Sequence, residues 1–254
     1  MKEHVFTKAA SIAEKIKVSG EKVELLRRNL LSSWEIPSLN RNVAANMTDH
    51  TQLSFNADKE DIIRLCKEAA DNNFKAVCVN PLWVPLAREI RNELSAKYLV
   101  AAVIDFPLGA SGLESRVEEA SSAVAEGADE LDVVISLGTL LSGDVEGTYR
   151  NLQPVLQKDA YTKVILEISE LPVEKKIEAA IIAVFAGADM LKTSTGVNGK
   201  AKIEDVKLLR LVAGSSLGVK AAGGIRSREA FRTMVEAGAD RVGCSSSVSI
   251  MKEW

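Results

Sequence analysis

Histidine is nearly absent from this chain: only His4 and His50 occur in 254 residues. A zinc-dependent enzyme holds its metal with clustered His, Cys or carboxylate ligands at characteristic spacing. Two remote histidines and no CxxC pair provide no such spacing, so no metal site is expected. Cysteine is equally scarce. Cys66, Cys78 and Cys244 stand far apart, which points to free thiols in a reducing compartment, and the cytoplasm is the expected address. No apolar run approaches the length needed to span a bilayer. The first residues lack the apolar core of a signal peptide, and Glu3 and Glu14 are out of place in a transit peptide. Positive charge is not in excess either. With 32 Lys and Arg against 35 Asp and Glu, the net charge is -3, so neither nucleic acid nor an acidic membrane is an expected partner. Low-complexity tracts and Pro/Ser-rich linkers are also missing. What remains is an ordinary balance for a soluble domain, 46% apolar and 26% charged.

What the chain does have is a repeat. "GAD" occurs at 127–129, 187–189 and 238–240, each time after an Ala/Val-rich helical stretch and before a strand-like run: "ELDVVIS", "MLKTST" and "RVGCSS". Glycine is the residue expected just past a helix end, where φ turns positive, and Asp can bond nearby backbone in a short loop. The repeat therefore marks a recurring helix-to-strand junction and not a copied active site. Further strand-like runs lie at 75–80 ("KAVCVN"), 99–107 ("LVAAVIDFP"), 163–169 ("KVILEIS") and 218–224 ("GVKAAGG"), with a weaker one in 43–53. Helical patterns fill 58–72, 83–96, 113–126, 145–158, 173–186, 203–213 and 227–237; Ile62, Leu65, Cys66 and Ala69, for example, share one face. "DNN" (71–73) and "GVNGK" (196–200) read as loops.

Eight alternations without a change of composition predict a TIM (β/α)8 barrel over 43–254, in preference to an open doubly wound sheet. Residues 1–42 stand outside the repeat as an N-terminal helical extension. Val5, Phe6, Ala9, Ile12, Ala13 and Ile16 fall on one helical face, predicting a helix that caps one end of the barrel.

A buried strand rarely carries a lysine unless something pairs with it or uses its amine. "GADMLKTSTG" (187–196) does carry one. Strand side chains alternate between faces, which groups Met190, Lys192 and Ser194 opposite Leu191 and Thr193. The same parity groups Asp132, Val134 and Ser136 on the fourth strand, and Lys220 with Ala222 on the seventh. The bulky faces suit the helix layer, so Asp132, Lys192 and Lys220 are expected to point into the lumen. Adjacent strands lie about 5 Å apart. Two ammonium groups that close oppose each other's protonation, and desolvation acts the same way. A depression of about three pH units would leave a lysine near neutrality, and a neutral amine is a nucleophile. Asp132 supplies the opposite charge and a proton relay. An internal structural salt bridge is the plainer reading; it accounts for one Lys–Asp pair but poorly for a second lysine beside it.

Two loops look built for an anion. "GGIRSREA" (223–230) joins the seventh strand to a helix, with Gly223 and Gly224 permitting close backbone approach and Ser227 as the N-cap. "GCSSSVSIM" (243–251) does the same after the eighth strand. Main-chain N–H groups and serine hydroxyls at such junctions bind phosphate, and in α/β barrels the loops after strands seven and eight are its usual place. Gly196, closing "KTSTG", adds a third wall.

With these residues assembled, the chain resembles the deoxyribose-phosphate aldolases, class I aldolases that form an imine on a TIM barrel. The likeness runs from about Met47 to Ser247 and is carried by "DHTQL", "LCKEA", "VCVNP", "FPLGA", "GADELDVVI", "VILE", "GADMLKTSTG" and "GVKAAGGIRS". The resemblance implies that Lys192 forms the Schiff base, that Lys220 lowers its pKa, and that Asp132 takes part in proton transfer through water. It places Gly196, Gly223, Gly224, Gly243, Ser245 and Ser246 around the phosphate, and Asp49, Asn80 and Thr195 along the pocket. It implies reversible cleavage of 2-deoxy-D-ribose 5-phosphate to D-glyceraldehyde 3-phosphate and acetaldehyde, with no metal and no organic cofactor, in a homodimer. Two alternatives stand beside it: a related class I aldolase acting on another short aldehyde or phosphosugar, and a catalytically silent barrel used for binding. The chain departs from the family pattern in having no tyrosine after Tyr161, and in placing Val197 where some relatives have a lysine near the phosphate. Asp105, at the end of the third strand, reads as a loop or capping residue.

Overall fold

The alternation closes on itself in the computed structural model, which describes residues 1–156 and 159–254. The parallel strands β1 (Thr48–Gln52), β2 (Ala76–Val79), β3 (Leu99–Ile104), β4 (Glu130–Val134), β5 (Tyr161–Ile165), β6 (Met190–Lys192), β7 (Gly218–Ala222) and β8 (Arg241–Cys244) form a closed barrel in chain order. Helices α1 (Lys2–Ile16), α2 (Gly20–Leu31) and α3 (Arg41–Asn46) precede β1. The outer layer follows as α4 (Lys59–Asn72), α5 (Val84–Glu93), α6 (Leu113–Glu126), α7 (Leu137–Leu141), α8 (Val145–Leu152), α9 (Val173–Ala186), α10 (Ile203–Ala213), α11 (Arg228–Glu236) and α12 (Ser247–Lys252). The closed TIM barrel is thus present and the open sheet is not. The helix expected over 145–158 ends at Leu152 in a short turn, and residues 157–158 lie outside the described residues.

Register decides what meets in the lumen. Lys192 pairs across with Lys220, Lys220 with Arg241, and Asp132 with Lys163. Residues paired in a parallel ladder share a face, so two neighbouring levels of the barrel interior, with Lys163 paired to Met190 and Ile165 to Lys192, carry four basic side chains and a carboxylate. Barrel interiors are usually filled by layers of branched apolar side chains. Here the bulky apolar residues of each strand, such as Val77, Leu131, Val164, Leu191, Val219 and Val242, point outward into the helix layer and are fully buried there.

The three GAD junctions act as clamps between neighbouring strands. In each, the Gly sits at positive φ and ends a helix, and the Asp carboxylate accepts a backbone N–H from the strand before it. Oδ2 of Asp129 accepts from Val100 at 2.7 Å, that of Asp189 from Thr162 at 2.8 Å, and that of Asp240 from Val219 at 2.8 Å. "DNN" is only partly a loop: Asp71 and Asn72 finish α4, and Asn73 caps it at φ 55°.

The extension does not cap the barrel. α1 buries Val5, Ala9 and Ile12 against α8 and α9, and α2 packs on α10. Small residues at Ala9 and Ala13 allow close helix approach, so the apolar stripe is satisfied on the outer layer and not across the strand ends. This also explains α9, whose residues Ile177–Ala186 are all buried; a helix apolar all round is covered on both sides. Beyond α2 the chain is pinned at its loops, where Nε1 of Trp34 donates to Oδ1 of Asp240 at 3.1 Å.

Candidate active site

The C-terminal ends of the strands open into a cleft of about 600 Å3, whose floor is the two lysines. Lys192 and Lys220 are both buried, and their amines share a single acceptor. Oδ2 of Asp132 receives Lys192 Nζ at 2.7 Å and Lys220 Nζ at 2.8 Å. The other carboxylate oxygen receives Lys163 Nζ at 2.7 Å. Asp132 is wholly buried, which alone would push its pKa up; Lys163, Lys192 and Lys220 outweigh that and hold it well below the usual carboxylate range.

The two cleft lysines are not alike. Burial is the largest influence on both and disfavours their charge. For Lys220 the carboxylates of Asp132 and Asp49 overcome burial, and its pKa is raised. Lys192 has Asp132 alone, and the neighbouring Lys220 charge opposes protonation, so its pKa is lowered. The expectation that the pair would depress each other is therefore corrected: Asp49, 2.5 Å from Lys220, makes the difference, and only Lys192 is driven toward the neutral amine.

Two glycine loops meet beside the lysines. A Cβ on Gly196 would stand 3.3 Å from Cα of Gly223, and one on Gly223 would stand 2.8 Å from O of Gly199. The loops after β6 and β7 thus lie backbone to backbone, and only glycine allows it. Gly243 serves differently. A Cβ there would come within 2.9 Å of Cε of Lys220, so its bare backbone makes room for the lysine stem. Arg226 and Ser245 are exposed along the same wall. The arrangement sets an amine of lowered pKa at the floor and two close-packed glycine loops at one side of the same cleft.

A protein-family model described as DeoC/LacD family aldolase matches residues 43–246. The chain belongs to this family. It is 50% identical over 213 residues to the deoxyribose-phosphate aldolase of Thermococcus gammatolerans, covering 82% of this chain and 95% of that one. It is 46% identical over 216 residues to the enzyme of that name from Caldanaerobacter subterraneus, covering 83% and 93%. Among solved structures, the tetrameric deoxyribose phosphate aldolase of Aeropyrum pernix superposes with a TM-score of 0.78 at 32% identity, covering 93% of this chain and 98% of that one.

In this aldolase the predicted residues separate into two levels. Lys192, Lys220, Asn80, Thr195, Gly196, Gly223, Gly224, Gly243 and Ser245 line the cleft. Asp132 lies beneath it. Asp49, expected along the pocket, lies beneath it as well, fully buried between Lys220 and Arg241; Thr51, two residues further along the same face of β1, is the one that reaches the cleft. Ser246 is the residue before α12 and does not line the cleft. Thr195 is committed locally, its hydroxyl donating to Glu167 and accepting from Val197 N–H at 3.1 Å. Ser227 caps α11, accepting from Ala230 N–H at 3.1 Å. Asp105 braces its own loop through Ser111 and Arg116.

Four buried residues escaped the sequence reading: Glu130, Lys163, Glu167 and Arg241. Glu130 stands two before Asp132, so the same parity places both inward. Lys163 and Arg241 open their runs and look like exposed strand ends, yet each shares a face with the lumen side of its strand. Glu167 had no such signal, since it sits past β5 at a left-handed φ of 45°. Among the described residues, no group of three or more His, Cys, Asp or Glu is arranged to hold a metal ion.

Proposed function

We propose that the chain is a class I aldolase that reversibly cleaves 2-deoxy-D-ribose 5-phosphate to D-glyceraldehyde 3-phosphate and acetaldehyde, with Lys192 as its Schiff-base residue. The observation that carries this reading is the inequality of the two lysines on one carboxylate oxygen, which leaves a single amine of lowered pKa facing a cleft. The amine of Lys192 attacks C1 of the open-chain sugar, and loss of water gives a protonated imine. Removal of the C3 hydroxyl proton then breaks the C2–C3 bond. Its electron pair enters the C1–C2 enamine, and C3 leaves as the aldehyde of glyceraldehyde 3-phosphate. Protonation of C2 and hydrolysis of the imine release acetaldehyde. Lys220, held protonated by two carboxylates, donates to the C1 hydroxyl that leaves as water, and Asp132, through water, takes up the C3 hydroxyl proton. Gly196, Gly223, Gly224 and Ser245 cradle the phosphate, with Gly243 and Ser246 shaping the loop after β8. Arg226 supplies the positive charge that Val197 does not.

The test is borohydride reduction in the presence of acetaldehyde. An ethyl group mapped to Lys192 by mass spectrometry is expected, with release of glyceraldehyde 3-phosphate followed through a coupled dehydrogenase. An adduct without that release would favour the related aldolase of another phosphosugar, and no adduct would favour the silent barrel.

Three further parts of the reading go with it. Residues 1–42 are an addition to a barrel domain of 43–254. The buried free cysteines support a cytoplasmic location, and among the described residues no helix is long and apolar enough to cross a membrane. A homodimer is the expected assembly; the tetramer of the Aeropyrum pernix relative makes light scattering the deciding measurement.

A further inference from the structure

The charges beneath Lys192 close into a ring. Nη2 of Arg241 on β8 donates to Oε2 of Glu130 on β4 at 2.9 Å. That same oxygen meets Nζ of Lys163 on β5 at 2.6 Å, and Lys163 meets Oδ1 of Asp132 at 2.7 Å. Oδ2 of Asp132 meets Lys220 on β7 at 2.8 Å, and Lys220 meets Oδ2 of Asp49 on β1 at 2.5 Å. Oδ1 of Asp49 accepts from Nε of Arg241 at 2.8 Å, which completes the circuit. Three cations alternate with three anions, each between two partners of opposite sign. The ring is neutral. Lys192 hangs outside it on Oδ2 of Asp132, so its proton would be the one unbalanced charge in a lumen where every member is buried.

The other groups facing Lys192 do not alter that balance. From β2 and β8 come the thiols of Cys78 and Cys244, which burial pushes up, the latter to about 11. From β3 come Ala101 and Val103, with nothing to titrate. Glu167, after β5, is engaged by Thr195, and Arg226, after β7, stands in solvent at the mouth.

We propose that Arg241 and Glu130, which do not line the cleft, are positioning residues that keep the lumen charge-balanced without the Lys192 proton and so set the pH at which its amine becomes a nucleophile. The inference rests on the imine reading of Lys192. Glu130 binds Lys163, which commits one oxygen of Asp132 and leaves the other alone between Lys192 and Lys220. Arg241 fixes Glu130 and Asp49 together, and thereby the counterion of Lys220.

The sign of each substitution follows. Glu130→Gln leaves the lumen one positive charge in excess, disfavours the Lys192 ammonium, and yields the neutral amine at lower pH. Arg241→Gln leaves one negative charge in excess and yields it only at higher pH. Both residues stand two strands away from Lys192, about 10 Å, and at an effective dielectric near 20 each displacement is about one pH unit. The double variant restores neutrality and returns toward wild type, which no merely structural role predicts.

The experiment measures, against pH, the yield of borohydride-trapped acetaldehyde adduct mapped to Lys192, together with the acid limb of kcat/KM. Opposite displacements of the single variants, with the double variant between them, are expected. Displacements in the same direction, or none, overturn the proposal. Should Arg241→Gln fail to fold, Glu130→Gln and Arg241→Lys decide the matter: a downward limb for the first and an unmoved limb for the second support the ring, and any other pair of results overturns it. An adduct at Lys192 with unmoved limbs sinks this inference alone. No adduct in the wild-type protein removes the imine reading and this inference with it.

Discussion

Lys192 and Lys220 are the same residue type at the same level of adjacent strands, yet burial and neighbours shift their pKa values in opposite directions. That contrast makes their variants distinguishable. Lys192→Ala removes the nucleophile and should abolish turnover while circular dichroism stays that of the folded barrel. Lys220→Leu acts by sign. Its charge lowers the Lys192 pKa, so its loss raises that pKa, and the acid limb of kcat/KM should move to higher pH. A limb that stays in place would show that the two amines are not coupled. At this scale the sequence spoke through parity: Asp132, Lys192 and Lys220 could be placed inward by counting alternate residues. What counting could not supply was the partner list. Whether a lysine is charged depends on how many carboxylates it meets, and Asp49 reaches Lys220 from a strand far away in sequence, across the seam that closes the barrel.

Among elements, the loop after β8 exerts its effect by what it omits. Gly243→Ala would set a methyl 2.9 Å from Cε of Lys220, closer than such atoms pack, and the Lys220 stem must shift from its place beside Asp132 to make room. The variant should lose kcat and keep KM for the phosphorylated sugar, since the wall around Ser245 is untouched. Ser245→Glu should do the reverse, placing a carboxylate in the cradle and raising KM for deoxyribose 5-phosphate. Equal effects on unphosphorylated deoxyribose would count against an anion site there. The GAD junctions show why element boundaries were legible: Gly127, Gly187 and Gly238 end helices at positive φ and the following Asp locks the neighbouring strand. The path of α1 was not legible, because an amphipathic stripe states that a helix is covered but not by which surface. The better clue lay in α9, too apolar on its outer face to meet water.

For the whole molecule, the lumen exchanges cohesion for reactivity, and stability should reveal it. Asp132 is held below its ordinary range, so it contributes stability that is present above the unfolded carboxylate pKa of about 4 and is lost as pH falls toward the folded value. Lys163 and Lys220 are raised, and their contribution is present below the unfolded lysine pKa of about 10.4 and lost only as pH rises through the folded values. Those charges hold the barrel across the neutral range. Lys192 runs the other way. Its folded pKa is lowered, so folding is penalised wherever the unfolded chain keeps that proton, and the penalty eases as pH rises through the folded pKa. Replacing it with Met keeps the volume, removes an amine that the neutral ring does not need, and leaves Lys163 and Lys220 still paired with Asp132. Lys192→Met should therefore be inactive but more stable at pH 7, by about 1 kcal/mol, within the usual gain when a functional site is relieved of strain. For a chain of this size that is a rise of roughly 2–4 °C in Tm, measurable by scanning calorimetry. A structural lysine would give the opposite result, because its removal would leave a buried carboxylate short of a partner and lower Tm.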